Sequence, residues 1–553
     1  MTVQTRKINP TPSAYPYQLL IKHLLTTPLI YSPEQEIVYR DQCRYTYAEF
    51  GRRVAKLAGG LESLGVRPGQ TVAVMDWDSH RYLECFFAVP MTGAVLHTIN
   101  IRLTSEQLIY TINHAEDEVL LVNREFLPML EAVKHRFETV KKIVLLSDEP
   151  GAPETDLVLD AEYETLLAGS KDTYDFPDFD ENSVATTFYT TGTTGLPKAV
   201  FFTHRQLVLH TYAIMATYSA YHCQAKLDSA DVYMPMTPMF HVHAWGVPYL
   251  MTLLGAKQVY PGRYEPDKLL ALVEAEKVTF SHCVPTIMHM LLSAPEADKT
   301  DLSGWKVIIG GAALPRGLAE AAMERGINIY AGYGMSETCP VLTVANLKPH
   351  MLGWDTKDQL TYRCRTGLPV PNAYVEIADA DGNFLPHDGK TTGEVIVRTP
   401  WLTAGYLKDP EKSEQLWENG WLHTGDIGFI DTEGYLQITD RLKDVIKTGG
   451  EWVSSLTLED IISQHPAVSE TAVIGIPDEK WGETPMALVV LNREHAGKVS
   501  EDELRDHCAQ FVGRGVIPKY GIPKQIEFVD EIAKTSVGKL DKKVLRKQYG
   551  QKE

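Results

Sequence analysis

Helical spacing first appears after Thr46-Tyr-Ala-Glu49, where Phe50, Val54, Leu57, Leu61 and Leu64 recur every three or four residues and Gly65 closes the run. A hydroxyl three residues ahead of a carboxylate is a capping box, so an amphipathic helix is predicted to start there. The period then shortens. Apolar runs at 71–75, 119–122 and 143–146 read as strands, with helices over 105–114 and 127–137 between them, and such alternation implies βαβ units and a largely parallel sheet. It returns over 269–330, where Val307-Ile-Ile309 reads as a buried strand ending at Gly310-Gly311. Ligands of such sheets lie beyond the carboxyl ends of the strands.

After Gly367 the texture changes to short strands and turns, such as 374–378 and 393–398, which predict a β-rich subdomain. From Asp440 onward a helix over 458–464, strands at 470–474 and 486–491, and a helix over 501–512 make a small α+β pattern. The expected fold class is therefore α/β. A large N-terminal domain over 1–440, with mixed and parallel sheets flanked by helices plus the β-rich subdomain, precedes a small α+β C-terminal domain over 441–553.

A length of 553 residues exceeds a single core, and 44% apolar with 23% charged residues is an ordinary globular composition. The formal charge of -19 argues against nucleic acid as a partner, because a chain repelled by phosphate must concentrate basic residues to bind it and no long basic face is visible. Positive charge is local. The last twenty residues hold seven Lys or Arg against two acids; such a tail reads as a solvated face or as a contact for a phosphate. No apolar run of eighteen residues and no leader with an apolar stretch is seen, and seven cysteines are scattered without metal spacing. A cytoplasmic protein with no integral membrane segment is expected, with transient contact to membrane surfaces if its product is apolar.

The segment Tyr189-Thr-Thr-Gly-Thr-Thr-Gly-Leu-Pro-Lys198 carries the first chemistry. Gly192 and Gly195 let backbone N–H groups turn toward an anion, Thr190, Thr191, Thr193 and Thr194 add hydroxyls, and Lys198 adds a fixed cation. It is not a Walker loop. Only two residues separate the glycines, Ala199 follows the lysine, and the β-prone flanks 184–189 and 199–202 make the loop a strand-to-strand connection. Thr203-His-Arg-Gln206 is a capping box that opens the next helix.

Further motifs follow in order: Gly310-Gly-Ala-Ala-Leu-Pro315, Tyr333-Gly-Met-Ser-Glu-Thr338, Trp421-Leu-His-Thr-Gly-Asp426, Asp440-Arg-Leu-Lys-Asp444 with Lys447-Thr-Gly-Gly-Glu451, and Lys534-Thr-Ser-Val-Gly-Lys539. Together they resemble an acyl-CoA synthetase of the adenylate-forming superfamily. Within it, Met239-Phe-His-Val-His-Ala-Trp245 and Gly449-Gly-Glu-Trp-Val-Ser-Ser455 are most similar to the medium- and long-chain fatty acid CoA ligases. The resemblance implies ATP, Mg²⁺ and CoA as cofactors, a small carboxylic acid as substrate, and two half-reactions. The acid attacks the α-phosphate of ATP to give an acyl-adenylate and pyrophosphate; the CoA thiol then displaces AMP.

Residue roles carry over by motif. The loop at 190–198 would hold the β- and γ-phosphates, and Glu337 with Thr190 would hold Mg²⁺. Gly311, Ala312, Ala313, Gly332, Tyr333 and Gly334 would wall the adenine, flanked by Met335, Ser336 and Thr338; Asp426 would take the ribose hydroxyls. Arg441, Lys443 and Lys447 would contact ribose or phosphate from a hinge at 440–444. Lys539 would bridge the carboxylate and the α-phosphate, then leave as the mobile C-terminal domain turns to present Gly449, Gly450, Glu451 and Trp452 to CoA. His241, Trp245, Val247, Gly311 and Gly334 would shape the acid pocket, together with Tyr249, Leu250, Val284 and Met288. His241 and His243 also read as core histidines, and Trp245 reads equally as core or as a gate to an acyl tunnel. Departures are Ala199 for a common glycine, Lys443 for a common aspartate, and Thr439-Asp440 for a glycine. Competing readings are a ligase for a short-chain, thioether, aryl or alicyclic acid, an acyl-AMP ligase loading a carrier protein, a luciferase-like monooxygenase and a nucleotide sensor. Relatives are often homodimers.

Overall fold

The computed structural model describes the chain except for residues 1–4, 7, 191–195, 449, 450, 479, 496, 515, 536–538 and 551–553. Among the described residues, four sheets form. The first orders its strands Ala161–Glu162, Lys142–Leu146, Asp117–Asn123, Thr71–Met75, Val95–Thr98, Val184–Thr190 and Lys198–Thr203, with every pair parallel except the last. Thr71–Met75 is buried at each position, as befits a strand covered on both faces, and so reads as an unbroken apolar run. The expected hairpin around the glycine-threonine loop is present, with Thr190 opposite Lys198.

A second sheet holds nine strands and is parallel from Asn328–Gly334 through Lys306–Ile309, Phe280–Cys283 and Val232–Met236 to Lys257–Tyr260 and Glu36–Tyr39. Its parallel strands all release the chain at one edge. The third sheet is antiparallel and contains Tyr374–Ala378, Gly393–Arg398, Trp421–Ile430 and Leu436–Arg441, the predicted β-rich subdomain. The fourth begins at Ile446–Thr448 and centres on the hairpin Val468–Asp478 with Gly482–Leu491.

Local differences from the sequence pattern have physical reasons. Thr46 caps the helix Tyr47–Ser63 through the Glu49 N–H, but the Glu49 carboxylate takes Arg52 at 2.7 Å, leaving the box half formed. The helix expected over 127–137 ends at Val133 and tightens into a single 3₁₀ turn, Lys134–Arg136, before Phe137 turns extended. Ser454 caps the C-terminal helix, which therefore starts at Ser455 rather than 458. Both hairpin strands outrun their predicted bounds because the backbone ladder continues to the turn, from Gly475 with Pro485 to Asp478 with Gly482; at their centre both faces are buried, with Val473, Ala487 and Val489 packing with Leu458, Ile461 and Leu504, and Ala472, Ile474, Met486 and Leu488 with Ile532 and Leu545. No helix among the described residues is long and apolar enough to cross a membrane.

Candidate active site

The strands Lys306–Ile309 and Asn328–Gly334 are parallel neighbours, and beyond their carboxyl ends lies a solvent-open cavity lined by Gly310, Gly311, Gly332, Tyr333, Gly334, Met335, Ser336, His241, Trp245 and Lys539. Small residues matter where backbone closes in: a Cβ at Gly334 would stand 1.9 Å from the Pro340 carbonyl oxygen, and one at Gly311, where φ is +77°, would stand 2.9 Å from Lys539 Cε.

One wall is a left-handed turn. Val242, His243, Ala244 and Trp245 have φ of 48°, 55°, 47° and 61°, followed by Gly246 at 73°, a conformation costing about 1–2 kcal/mol for each L-residue. Its surroundings hold it there. The Met239 N–H donates to the buried Asp78 carboxylate at 2.8 Å; His210, which accepts the Val341 N–H at 3.2 Å, closes on Gly246. The His243 ring is enclosed by Phe86, Phe188, Phe202 and Tyr249. The turn aims Trp245 across the cavity, where its ring lies 4.9 Å from that of His282 and would be 2.8 Å from a Cβ at Gly310. The Tyr233 hydroxyl is 2.7 Å from His282 Nε2 behind it.

Two polar clusters flank the cavity. Asp426, buried and opposite Arg441 in the strand register, accepts the Tyr333 hydroxyl at 2.6 Å and pairs with Arg441 Nε at 3.2 Å. In the second cluster Glu337 is buried and accepts the Tyr406 hydroxyl at 2.7 Å, while the Tyr406 ring lies 4.5 Å from Lys198 Nζ. Thr338 closes the 3₁₀ turn that presents Glu337, its hydroxyl donating to the Pro340 carbonyl. Sequence reasoning missed Tyr406, since a Gly-Tyr pair before a turn carries no charge signal; the bridge from Val200 to Tyr406, with the Leu407 N–H donating to the Ala199 carbonyl at 2.9 Å, brings it to the loop lysine.

Through its carbonyl, Lys539 accepts the Thr535 N–H at 2.7 Å. Burial, reinforced by the charge of Arg441, pulls its ammonium down to about 8, while Asp426 and Glu337 resist. Burial and then the Lys539 charge push His241 down to about 3, so its imidazole is neutral near pH 7 rather than a cation. His243 is likewise brought down to about 3 by burial, and its ring nitrogens have no hydrogen-bond partner among the described residues.

Other expected positions divide. Thr191, Gly192, Thr193, Thr194, Gly195, Gly449 and Gly450 lie outside the described residues. Ala312 and Ala313 are exposed on the connection after Gly311. Val247, Tyr249 and Leu250 do not line the cavity but are buried in the main core, because the left-handed turn redirects the chain before the helix Val247–Leu254, and Met288, on the helix Pro285–Leu292, is buried in that core as well. Val284 abuts Gly311. Lys443 lies in the turn after Arg441, and Lys447 is exposed on Ile446–Thr448, where it pairs with Trp452 while Thr448 pairs with Glu451. Asp440, in place of a glycine, is buried and accepts the Ser455 N–H at 2.6 Å and hydroxyl at 2.8 Å.

Among the described residues no group of three His, Cys, Asp or Glu could cage a metal. A lone carboxylate such as Glu337 suits Mg²⁺ held mainly by phosphates and water, and the Thr190 hydroxyl, which donates weakly to the Lys198 carbonyl at 3.5 Å, is a second oxygen donor at the loop. The donors present fit that ion.

Comparison with known proteins decides the family. Residues 31–407 match the model of the AMP-binding enzyme and residues 457–539 that of the AMP-binding enzyme C-terminal domain. The chain belongs to the AMP-binding enzyme family. It is 42% identical to a long-chain-fatty-acid–CoA ligase of Thermus thermophilus over 92% of this chain and 90% of that one. It is 35% identical to a 3-methylmercaptopropionyl-CoA ligase of Ruegeria lacuscaerulensis over 96% and 97%. A crystal structure of an anthranilate CoA ligase in complex with anthranoyl-AMP superimposes with a TM-score of 0.83 at 25% identity, covering 96% of this chain and 97% of that chain. This AMP-binding enzyme is thus an AMP-forming acyl-CoA ligase of the adenylate-forming superfamily.

Proposed function

We propose that this ligase activates a medium- or long-chain fatty acid. One observation carries the reading: apart from Lys539, the cavity is walled by Val242, Trp245, Ile308, Met335, Pro340 and Val341, by glycines, by the uncharged Tyr333 and Ser336 and by the neutral His241, with no second cation among the described residues that line it. An acid entering with its carboxylate at Lys539 would lay its tail against Trp245. Each buried methylene contributes about 0.8 kcal/mol, so an apolar tail favours binding, and the likeness to the long-chain-fatty-acid–CoA ligase of Thermus thermophilus agrees.

Each residue then has a task. Lys198 and the threonine loop would hold the β- and γ-phosphates, and Glu337 with Thr190 would hold Mg²⁺, which when bound offsets phosphate charge. Asp426 would exchange the Tyr333 hydroxyl for the ribose diol, and Tyr333 would lie on the adenine beside Gly332 and Gly334. Lys539 would bring the two anions of the first half-reaction together, since the carboxylate and the α-phosphate repel without a cation between them. Turning of the residues after 441 would remove Lys539 and bring the strand Glu451–Val453 to CoA, so that both half-reactions use one cavity.

A second reading rests on Trp245. Its ring, resting on His282 and Gly310, shortens the cavity, and a short thioether acid would fill what is left, in keeping with the Ruegeria relative. Pyrophosphate release measured over linear acids from C2 to C18 and 3-(methylthio)propanoate separates the two. A kcat/KM that climbs through C10 or beyond supports the fatty acid; a maximum at the thioether or at C2 to C4 overturns it.

A further inference from the structure

The helix Arg316–Glu324 follows Pro315, which supplies no side-chain cap, and its first turn holds no acid. Its leading N–H groups are therefore left without an intrahelical acceptor. The partner comes from the other end of the chain: the Arg316 N–H donates to Asp460 Oδ1 at 3.1 Å, on the helix Ser455–Ser463. Gln464 Nε2 holds the other oxygen of Asp460 at 3.1 Å. The Arg316 guanidinium turns instead to Glu320 and Thr361, at 3.1 and 3.3 Å, so the contact is a helix cap rather than an ion pair. It is close-fitted, since a Cβ at Gly317 would stand 3.1 Å from the Ser463 carbonyl oxygen. A second tie lies near it, where His289 Nε2 meets Ser469 Oγ at 2.8 Å.

Residues 310–315 join this cap to the cavity. Lys539 lies against Gly311 at their start, and Asp460 caps Arg316 just past their end, so the C-terminal residues grip one short connection at two points. We propose that Asp460 is a positioning residue for adenylation, fixing the pose in which Lys539 reaches Gly311. This rests on the reading that Lys539 serves the first half-reaction. A carboxylate on a helix N-terminus is favoured by the free N–H groups and by the helix dipole, and the contact must open whenever the C-terminal residues turn to present another face. Asp460 thus biases the enzyme toward its first step without touching substrate.

The test uses the full chain with two assays: single-turnover pyrophosphate release from acid and MgATP, and AMP release from supplied acyl-adenylate and CoA. Asp460→Ala slows the first about 3- to 30-fold, the range of a lost helix cap, and leaves the second unchanged or faster. Asp460→Asn, which keeps an acceptor oxygen, restores most of the first, and His289→Ala repeats the pattern of Asp460→Ala more weakly. Equal loss in both assays, no loss in either, or an Asn variant as slow as the Ala variant overturns the assignment. If Lys539→Ala damages both half-reactions alike, it is the reading of Lys539 that fails.

Discussion

Tyr406 touches both charges that flank the glycine-threonine loop, its ring on Lys198 and its hydroxyl on Glu337. Tyr406→Phe keeps the first contact and removes the second. A hydrogen bond to a charged group contributes about 1.5–3 kcal/mol, so KM for MgATP is expected to rise about tenfold in steady-state kinetics, with the acid's KM unchanged. Lys539 gives the pH dependence its sign. In its proposed role it works as a cation, and burial draws it down to about 8, so kcat/KM for the acid, which reports the free enzyme, is expected to fall roughly tenfold per pH unit above that value. Lys539→Arg should abolish that descending limb in a pH profile. Lys198, Glu337, Asp426 and Lys539 were legible in the sequence because each is a charge set in a glycine- or hydroxyl-rich motif. Tyr406 was not, since its place depends on two distant segments packing together.

Among the elements, caps and buried strands were the readable parts. Thr203 and Gln206 make the full reciprocal box, and Tyr374–Ala378 and Gly393–Arg398 have the predicted bounds. The left-handed turn was illegible: Val242-His-Ala-Trp245 contains no glycine, and tertiary contacts impose a conformation that no local preference selects. The C-terminal hairpin was under-read because Pro477 and Glu483 interrupt its apolar pattern while their backbones still pair. The turn also buries a histidine in an aromatic cage without hydrogen-bond partners among the described residues. Leaving such a group unsatisfied costs about 1–3 kcal/mol, part of which a leucine at positive φ gives back. His243→Leu is therefore expected to stabilise the protein by about 1 kcal/mol, seen as a higher urea midpoint, with adenylation preserved. Lost activity with an unchanged midpoint would instead assign the ring nitrogens to chemistry.

At the scale of the whole molecule the α/β class and the late α+β segment followed from periodicity, whereas the grip of the C-terminal residues on 310–315 did not, because Asp460 and Arg316 are 144 positions apart. Lys539→Ala is expected to lose about 10²-fold or more in pyrophosphate release, about 3 kcal/mol, while thioester formation from supplied acyl-adenylate survives. Rapid-quench measurement of each half-reaction checks it. The hairpin Val468–Asp478 with Gly482–Leu491 has its own apolar cluster on each side, and neither cluster includes a residue before Ile446. A protease nick in the turn at 442–445 is therefore expected to leave two fragments that each keep their shape, in which case the catalyst could be run as a kit of two parts, assembled by mixing.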